Sequence, residues 1–231
     1  MKTLGMIGGI GPESTIDYYR LLLARYQAGV GDGSAPSVLI NSVDLKRLVD
    51  GFGSGDLAGV AAYLVEAVET LARAGADFGL IAANTPHIVF EAVRGRSKIP
   101  LISIVEATCD AALATDRKRL ALFGTRFTMQ AGFYPEVFAR AGIAIVVPQP
   151  IEQALIHEKY MGELILGVFL PETRAALLEI VERMRERDGI DGLILGGTEL
   201  PLILRRDSHS GIPFLDTTKI HVEKAVEELL R

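Results

Sequence analysis

The chain has 231 residues, about half of them apolar, with few aromatics and no tryptophan. A core built from Leu, Ile, Val and Ala is therefore expected, in one large domain or two lobes of ordinary size. The net charge is -5 with both signs mixed, which argues against a nucleic-acid surface, since that needs clustered Lys and Arg.

A single cysteine, Cys109, excludes an intrachain disulfide and a cysteine-based metal site. Met1 leads directly into the strand-like run Leu4–Ile7, without the apolar stretch and cleavage site of a signal peptide. No apolar run approaches the ~20 residues of a membrane span. The expectation is a cytoplasmic protein with no membrane partner.

In chain order, Leu4–Ile7 reads as the first strand and is followed by Gly8-Gly-Ile-Gly-Pro-Glu-Ser-Thr15. Glycines such as Gly9 permit close backbone approach to a ligand, and Ser14 or Thr15 is placed to cap the next helix and leave its N–H groups for an anion. The loop lacks the third glycine of a dinucleotide fingerprint. Ser37–Ser42 is the second strand, with Asp44, Lys46 and Arg47 just beyond it and Gly51, Gly53 and Gly55 loosening the stretch that follows. Arg47 is a candidate to lie over a ligand. Leu57–Ala74 carries helical periodicity.

Phe78–Ala82 is a third strand, ending in Ala83-Asn-Thr-Pro-His87. Asn84, Thr85 and nearby backbone N–H groups suit a carboxylate, which accepts several hydrogen bonds at once. His87 is either a general acid or base or a structural histidine tied to backbone. Pro100–Ile104 is a strand followed by a helix over Val105–Ala114, which contains Cys109, read as a buried inert thiol. Leu120–Phe123 is a strand ending in Gly124-Thr-Arg-Phe-Thr-Met129, where Thr125 and Thr128 place two hydroxyls near a helix start. Ile143–Val147 is a strand and Thr173–Arg187 a helix. Leu193–Leu195 is a strand ending in Gly196-Gly-Thr-Glu-Leu-Pro201, with Thr198 as a carboxylate donor and Glu199 as a base or a structural acceptor. Pro213–Leu215 and a helix over Thr218–Leu230 close the chain. Tyr19 and Asp44 complete the acid–base candidates. Continuously apolar strands alternating with helices give an α/β fold with mainly parallel sheets flanked by helices.

Three of these segments occur twice. Lys2-Thr-Leu-Gly-Met-Ile-Gly8 matches Lys118-Arg-Leu-Ala-Leu-Phe-Gly124 at an offset of 116. Asp77-Phe-Gly-Leu-Ile-Ala-Ala-Asn84 matches Asp191-Gly-Leu-Ile-Leu-Gly-Gly-Thr198 at 114, and Ile99-Pro-Leu-Ile-Ser103 matches Ile212-Pro-Phe-Leu-Asp216 at 113. One order and nearly one offset indicate a duplication. The expected lobes are 1–98 plus 212–231 and 99–211, with an active cleft between them at the carboxyl ends of the strands.

Gly8-Gly-Ile-Gly-Pro-Glu-Ser-Thr15, Asn84-Thr-Pro-His87, Gly124-Thr-Arg-Phe-Thr-Met129, Gly196-Gly-Thr-Glu-Leu-Pro201 and Asp216-Thr-Thr218 together resemble the aspartate/glutamate racemase family, over essentially the whole chain. The resemblance implies two pseudo-twofold α/β lobes, commonly a homodimer, small amino acids or related carboxylates as ligands, and no cofactor or metal. It implies substrate binding by Gly9, Asn84, Thr85, Thr125, Thr128, Thr198 and Arg47. The family's mechanism uses one thiolate to remove the α-proton and a thiol on the opposite face to return one. The resemblance places those thiols at Ala83 and Gly197, and the internal repeat aligns the same two positions with each other. Neither is a cysteine here. His87 and Glu199 are the nearest alternative proton carriers. Where family members often carry a basic residue, this chain reads Leu166-Gly-Val-Phe-Leu-Pro171, which weakens the case for an acidic substrate. A lyase or decarboxylase, or a carboxylate binder without catalysis, are the competing readings.

Overall fold

The computed structural model describes residues 2–231. By internal contacts the chain forms two compact units, one running up to Ile104 and rejoined by Thr218–Arg231, the other Val105–Thr217.

The first unit holds β1 (Thr3–Gly8), β2 (Ser37–Ser42), β3 (Phe78–Ile81) and β4 (Leu101–Ile102) in the order β2-β1-β3-β4, every pair parallel. The second holds β5 (Arg119–Gly124), β6 (Ala144–Val146), β7 (Gly192–Gly196), β8 (Ser208–His209) and β9 (Ile212–Asp216) in the order β6-β5-β7-β9-β8. Only the β8–β9 pair is antiparallel. Setting β8 aside, the two sheets share one strand order, and β1/β5, β3/β7 and β4/β9 are the three pairs of repeated segments.

The repeat extends to a side-chain clasp. The Asp77 carboxylate accepts from the Thr3 N–H at 2.7 Å, and the Asp77 N–H donates to the Thr3 carbonyl at 2.9 Å. In the second unit the Asp191 carboxylate accepts from the Lys118 and Arg119 N–H groups at 2.8 and 3.1 Å, while its own N–H donates to the Arg119 carbonyl at 2.9 Å. Each clasp satisfies backbone groups at the start of a pair of central strands that would otherwise depend on water.

The expected lobe boundaries are corrected. They fall at Ile104 rather than 98 and at Thr217 rather than 211. The chain crosses after the fourth strand of each sheet, because β4 pairs with β3 and β9 pairs with β7. The strand over Ser208–His209 has no counterpart in the sequence reading, since two polar residues give no apolar run.

In the first unit, Tyr18, Leu22 and Tyr26 recur every four residues on the helix Pro12–Val30 and so share one face. That face joins Leu4, Met6, Phe78 and Leu80 of the sheet and Val222, Val226 and Leu229 of the terminal helix Thr217–Leu229 in one buried cluster. In the second unit, Phe123, Leu193 and Leu195 join Ile156 and Tyr160 of the helix Pro150–Gly162 and Leu177, Ile180 and Val181 of the helix Pro171–Asp188. Each such aliphatic side chain contributes roughly 1.5–3 kcal/mol on burial.

Candidate functional site

The loop after β1 is held from within. Pro12 opens the helix two residues before Ser14, which corrects the expectation that Ser14 or Thr15 caps it. A ring-fixed φ suits the first helical turn. Thr15 instead lies inside that turn, where its hydroxyl accepts from the Gly9 N–H at 2.8 Å and donates to the Gly11 carbonyl at 3.2 Å. Gly9 has φ +84, and a Cβ there would meet the backbone of Val43, so glycine is required by conformation and by space. Asp44 caps the helix Leu45–Ser54. Arg47 is exposed, its guanidinium 4.0 Å above the centroid of the Tyr63 ring. Tyr19 is 41% exposed.

The strand end after β3 is buried at Ala83, Asn84 and His87, with Thr85 half-buried. His87 Nδ1 lies 3.0 Å from the Ala83 carbonyl, and its Nε2 accepts from the Ile104 N–H at 3.2 Å. That pair of partners defines a neutral ring protonated at Nδ1. The ring stacks on Phe90 at 4.7 Å. Burial first, and His221 second, lower its pKa to about 3. Both nitrogens are therefore taken by backbone. The acid–base expectation for His87 gives way to the structural alternative in this geometry, because a proton carrier needs a nitrogen free for the substrate.

His221 repeats the pattern. Its Nε2 lies 3.1 Å from the Ile102 carbonyl, its Nδ1 lies 3.0 Å from the Tyr18 hydroxyl, and burial lowers its pKa to about 4. Two buried neutral imidazoles thus tie the ends of β3 and β4 to helices.

The strand end after β7 is built differently. Thr198 and Glu199 are buried. The Thr198 hydroxyl donates to Glu199 Oε2 at 3.0 Å, and the Tyr160 hydroxyl donates to the same oxygen. Tyr160 is 4% exposed. Burial, then the Glu199 charge, push its phenol well above the usual range. A Cβ built on Gly197 would lie 2.5 Å from Tyr160 Cε2 and 2.7 Å from its hydroxyl oxygen. The phenol therefore occupies the volume into which any side chain at 197 would project.

At the end of β5, Thr125 Oγ1 accepts from the Thr128 N–H at 3.2 Å and caps the short helix Arg126–Gln130; the two hydroxyls are also 3.2 Å apart. Both residues are buried. Cys109 sits within the helix Ile104–Leu113, 5% exposed, its thiol pushed up by burial and by Asp110. It is protonated and inert at neutral pH. Among the described residues no group of three or more His, Cys, Asp or Glu is placed to hold a metal, and no helix is long and apolar enough to cross a membrane.

Within the first unit, strand ends carry Gly9, Ala83, Asn84 and Thr85; within the second, they carry Thr125, Gly197, Thr198 and Glu199. Tyr160 joins the latter group and was not among the residues expected from sequence.

This is the architecture of a two-unit parallel α/β protein with polar groups at the carboxyl ends of its strands. The Asp/Glu/hydantoin racemase family model matches residues 7–225, and the chain belongs to that family. Its sequence is 24% identical to the broad specificity amino-acid racemase RacX of Bacillus subtilis, over 98% of each chain. An aspartate racemase homologue from Pyrococcus horikoshii is 32% identical with a TM-score of 0.83, and a provisionally named Asp/Glu racemase from Yersinia pestis is 31% identical with a TM-score of 0.89; both alignments cover 100% of each chain. The two sheets of mostly parallel strands flanked by helices match these structures.

Proposed function

We propose that this protein, an isomerase-like member of its family with a non-standard proton-transfer set, binds a small amino acid or related carboxylate and removes and returns the proton on the carbon next to the carboxylate, without a cofactor and without the two-thiol pair. The observation that carries the reading is the full-length membership in a racemase family combined with Ala83 and Gly197 at the two positions the family resemblance assigns to thiols. Asn84 and Thr85, with Thr125 and Thr128, are proposed as carboxylate donors, and Thr198 joins them by turning its hydroxyl from Glu199 to the ligand. Gly9 allows close approach of the backbone, and Arg47, on the helix Leu45–Ser54 with its guanidinium over Tyr63, is proposed as a cation for the ligand. Cys109 is too deeply placed in its helix to replace either thiol. His87 is assigned to structure, since both ring nitrogens are engaged. The same family reading proposes a homodimer in the cytoplasm; sedimentation of the purified protein tests the dimer.

Removing an α-proton without an electron sink is demanding, and each acid–base group contributes about 10²–10⁴-fold. Replacing two thiols by Ala and Gly therefore removes several kcal/mol of transition-state stabilisation, at about 1.36 kcal/mol per tenfold. The test is calorimetry with a panel of amino and keto acids beside Cα deuterium uptake in D2O. Saturable binding of a carboxylate with protein-dependent uptake is expected. Binding with no uptake and no product would replace this reading by that of a non-catalytic binder.

A further inference from the structure

Position 197 is where the second proton carrier is expected, and the structure fills that place from elsewhere. An added Cβ would fall 2.7 Å from the Tyr160 hydroxyl oxygen and 2.9 Å from the carbon that bears it. The phenol arrives from the helix Pro150–Gly162, 39 residues away in sequence from its partner Glu199. Its hydroxyl is anchored on a carboxylate that also accepts from Thr198. A glycine opposite a large buried side chain is usually only a packing device. Here the buried side chain brings a titratable hydroxyl together with a buried carboxylate that accepts from it.

We propose that Tyr160, backed by Glu199, is the proton-transfer group of this protein, standing in the space that Gly197 leaves open. The inference rests on the proposed binding of a small carboxylate at these strand ends. The step balances within the protein and substrate. The Cα–H bond breaks and its proton goes to Tyr160 Oη, while the Oη–H bond breaks and that proton goes to Glu199 Oε2. The electron pair left on Cα delocalises into the substrate carboxylate. The reverse transfer restores Tyr160, Glu199 and the C–H bond, and solvent deuterium reaches Cα when the hydron on Tyr160 Oη exchanges with water before it is returned. Because the phenol is held well above its usual pKa by burial and by Glu199, it stays protonated at neutral pH and reacts by exchanging one proton for another. A single such group acts on one face of the substrate.

The experiment uses the full chain and three proteins: wild type, Tyr160→Phe and Glu199→Gln. Aspartate, glutamate and the other common amino acids are incubated in D2O, and loss of the Cα proton signal is followed by NMR. Calorimetry on the same ligands and circular dichroism on each variant run beside it. Tyr160→Phe keeps the ring and removes only the oxygen, so the fold survives. It should slow exchange at least about 100-fold with near-unchanged affinity. Glu199→Gln should slow exchange too, and should remove the rise of rate with pH that a carboxylate acceptor produces. Exchange at the wild-type rate in a ligand-binding Tyr160→Phe protein overturns the assignment of Tyr160 alone. Binding without exchange in the wild type also overturns it. If the wild type binds none of the ligands, the reading of the site as a carboxylate cradle falls, and the assignment falls with it.

Discussion

The two units share a strand order and an Asp clasp, yet their polar centres are built on opposite principles. In the first, His87 and His221 are buried, neutral, and tied to carbonyls of Ala83 and Ile102, with the Tyr18 hydroxyl on His221. Each imidazole there is engaged with backbone, and the remaining nitrogen of His221 meets the Tyr18 hydroxyl. In the second, the Tyr160 hydroxyl faces the Glu199 carboxylate beside a glycine. The phenol donates to the carboxylate, and the neighbouring position is empty of side chain. One polar centre of the repeated scaffold is thus a fastener, and the other is the place where we propose that a proton moves.

That contrast can be strained by mutation and by pH. The largest effect is expected from Tyr160→Ala. Removing a buried aromatic ring should cost about 3–5 kcal/mol of stability, measured by denaturant unfolding, and should end Cα exchange. An unchanged midpoint would show that the ring does not fill its pocket in solution.

Acidification probes the first unit. Unfolded histidine titrates near 6.5, whereas the folded values are about 3 for His87 and about 4 for His221. Between those limits the unfolded chain binds more protons than the folded one, so stability is present above pH 6.5 and is lost as pH falls. At pH 5 the loss is roughly 2 kcal/mol per histidine. Thermal melts should therefore drop between pH 7 and 5, and His221→Gln should flatten the dependence by about half. A flat curve for the wild type would mean that the imidazoles are not held neutral.

Gly197→Ala should destabilise by about 1–3 kcal/mol through overpacking against the Tyr160 ring. In the background Tyr160→Leu the same change should cost far less, and the double-mutant cycle reads that coupling. Additive effects would place the phenol away from residue 197. The smallest effect is expected from Tyr18→Phe, which removes one buried hydrogen bond, about 1 kcal/mol, and should leave Cα exchange untouched. A collapse of exchange there would put function in the first unit's fastener.

Much of this was legible in the sequence. Strands β1, β3, β5 and β7 are continuous apolar runs, and their repetition at one offset marked the duplication. The strand-end motifs put Ala83, Asn84, Gly197 and Thr198 just beyond β3 and β7, where they lie. Three things were not legible. The crossing points between units depend on which sheet β4 and β9 join, and an apolar strand does not carry that information. The helix Pro150–Gly162 has a start signal, Pro150 in its first turn with Gln149 and Glu152 forming a capping box, but its apolar residues are too sparse to stand out. Tyr160 was unreadable because its importance lies in a missing Cβ at Gly197, a space that only tertiary packing reveals. His87 carried the opposite problem, since a histidine six residues after a strand end looks the same whether it is free or tied to backbone.

The central claim is that proton transfer here runs through one group on one face rather than through a facing pair. The direct measurement is the configuration of the substrate after its Cα proton has been exchanged in D2O, read by chiral chromatography coupled to mass spectrometry. A single group returns deuterium to the face it deprotonated, so the deuterated amino acid should keep its original configuration through many exchange events. Deuterium uptake matched, event for event, by inversion to the mirror image would require a second proton carrier and would contradict this account.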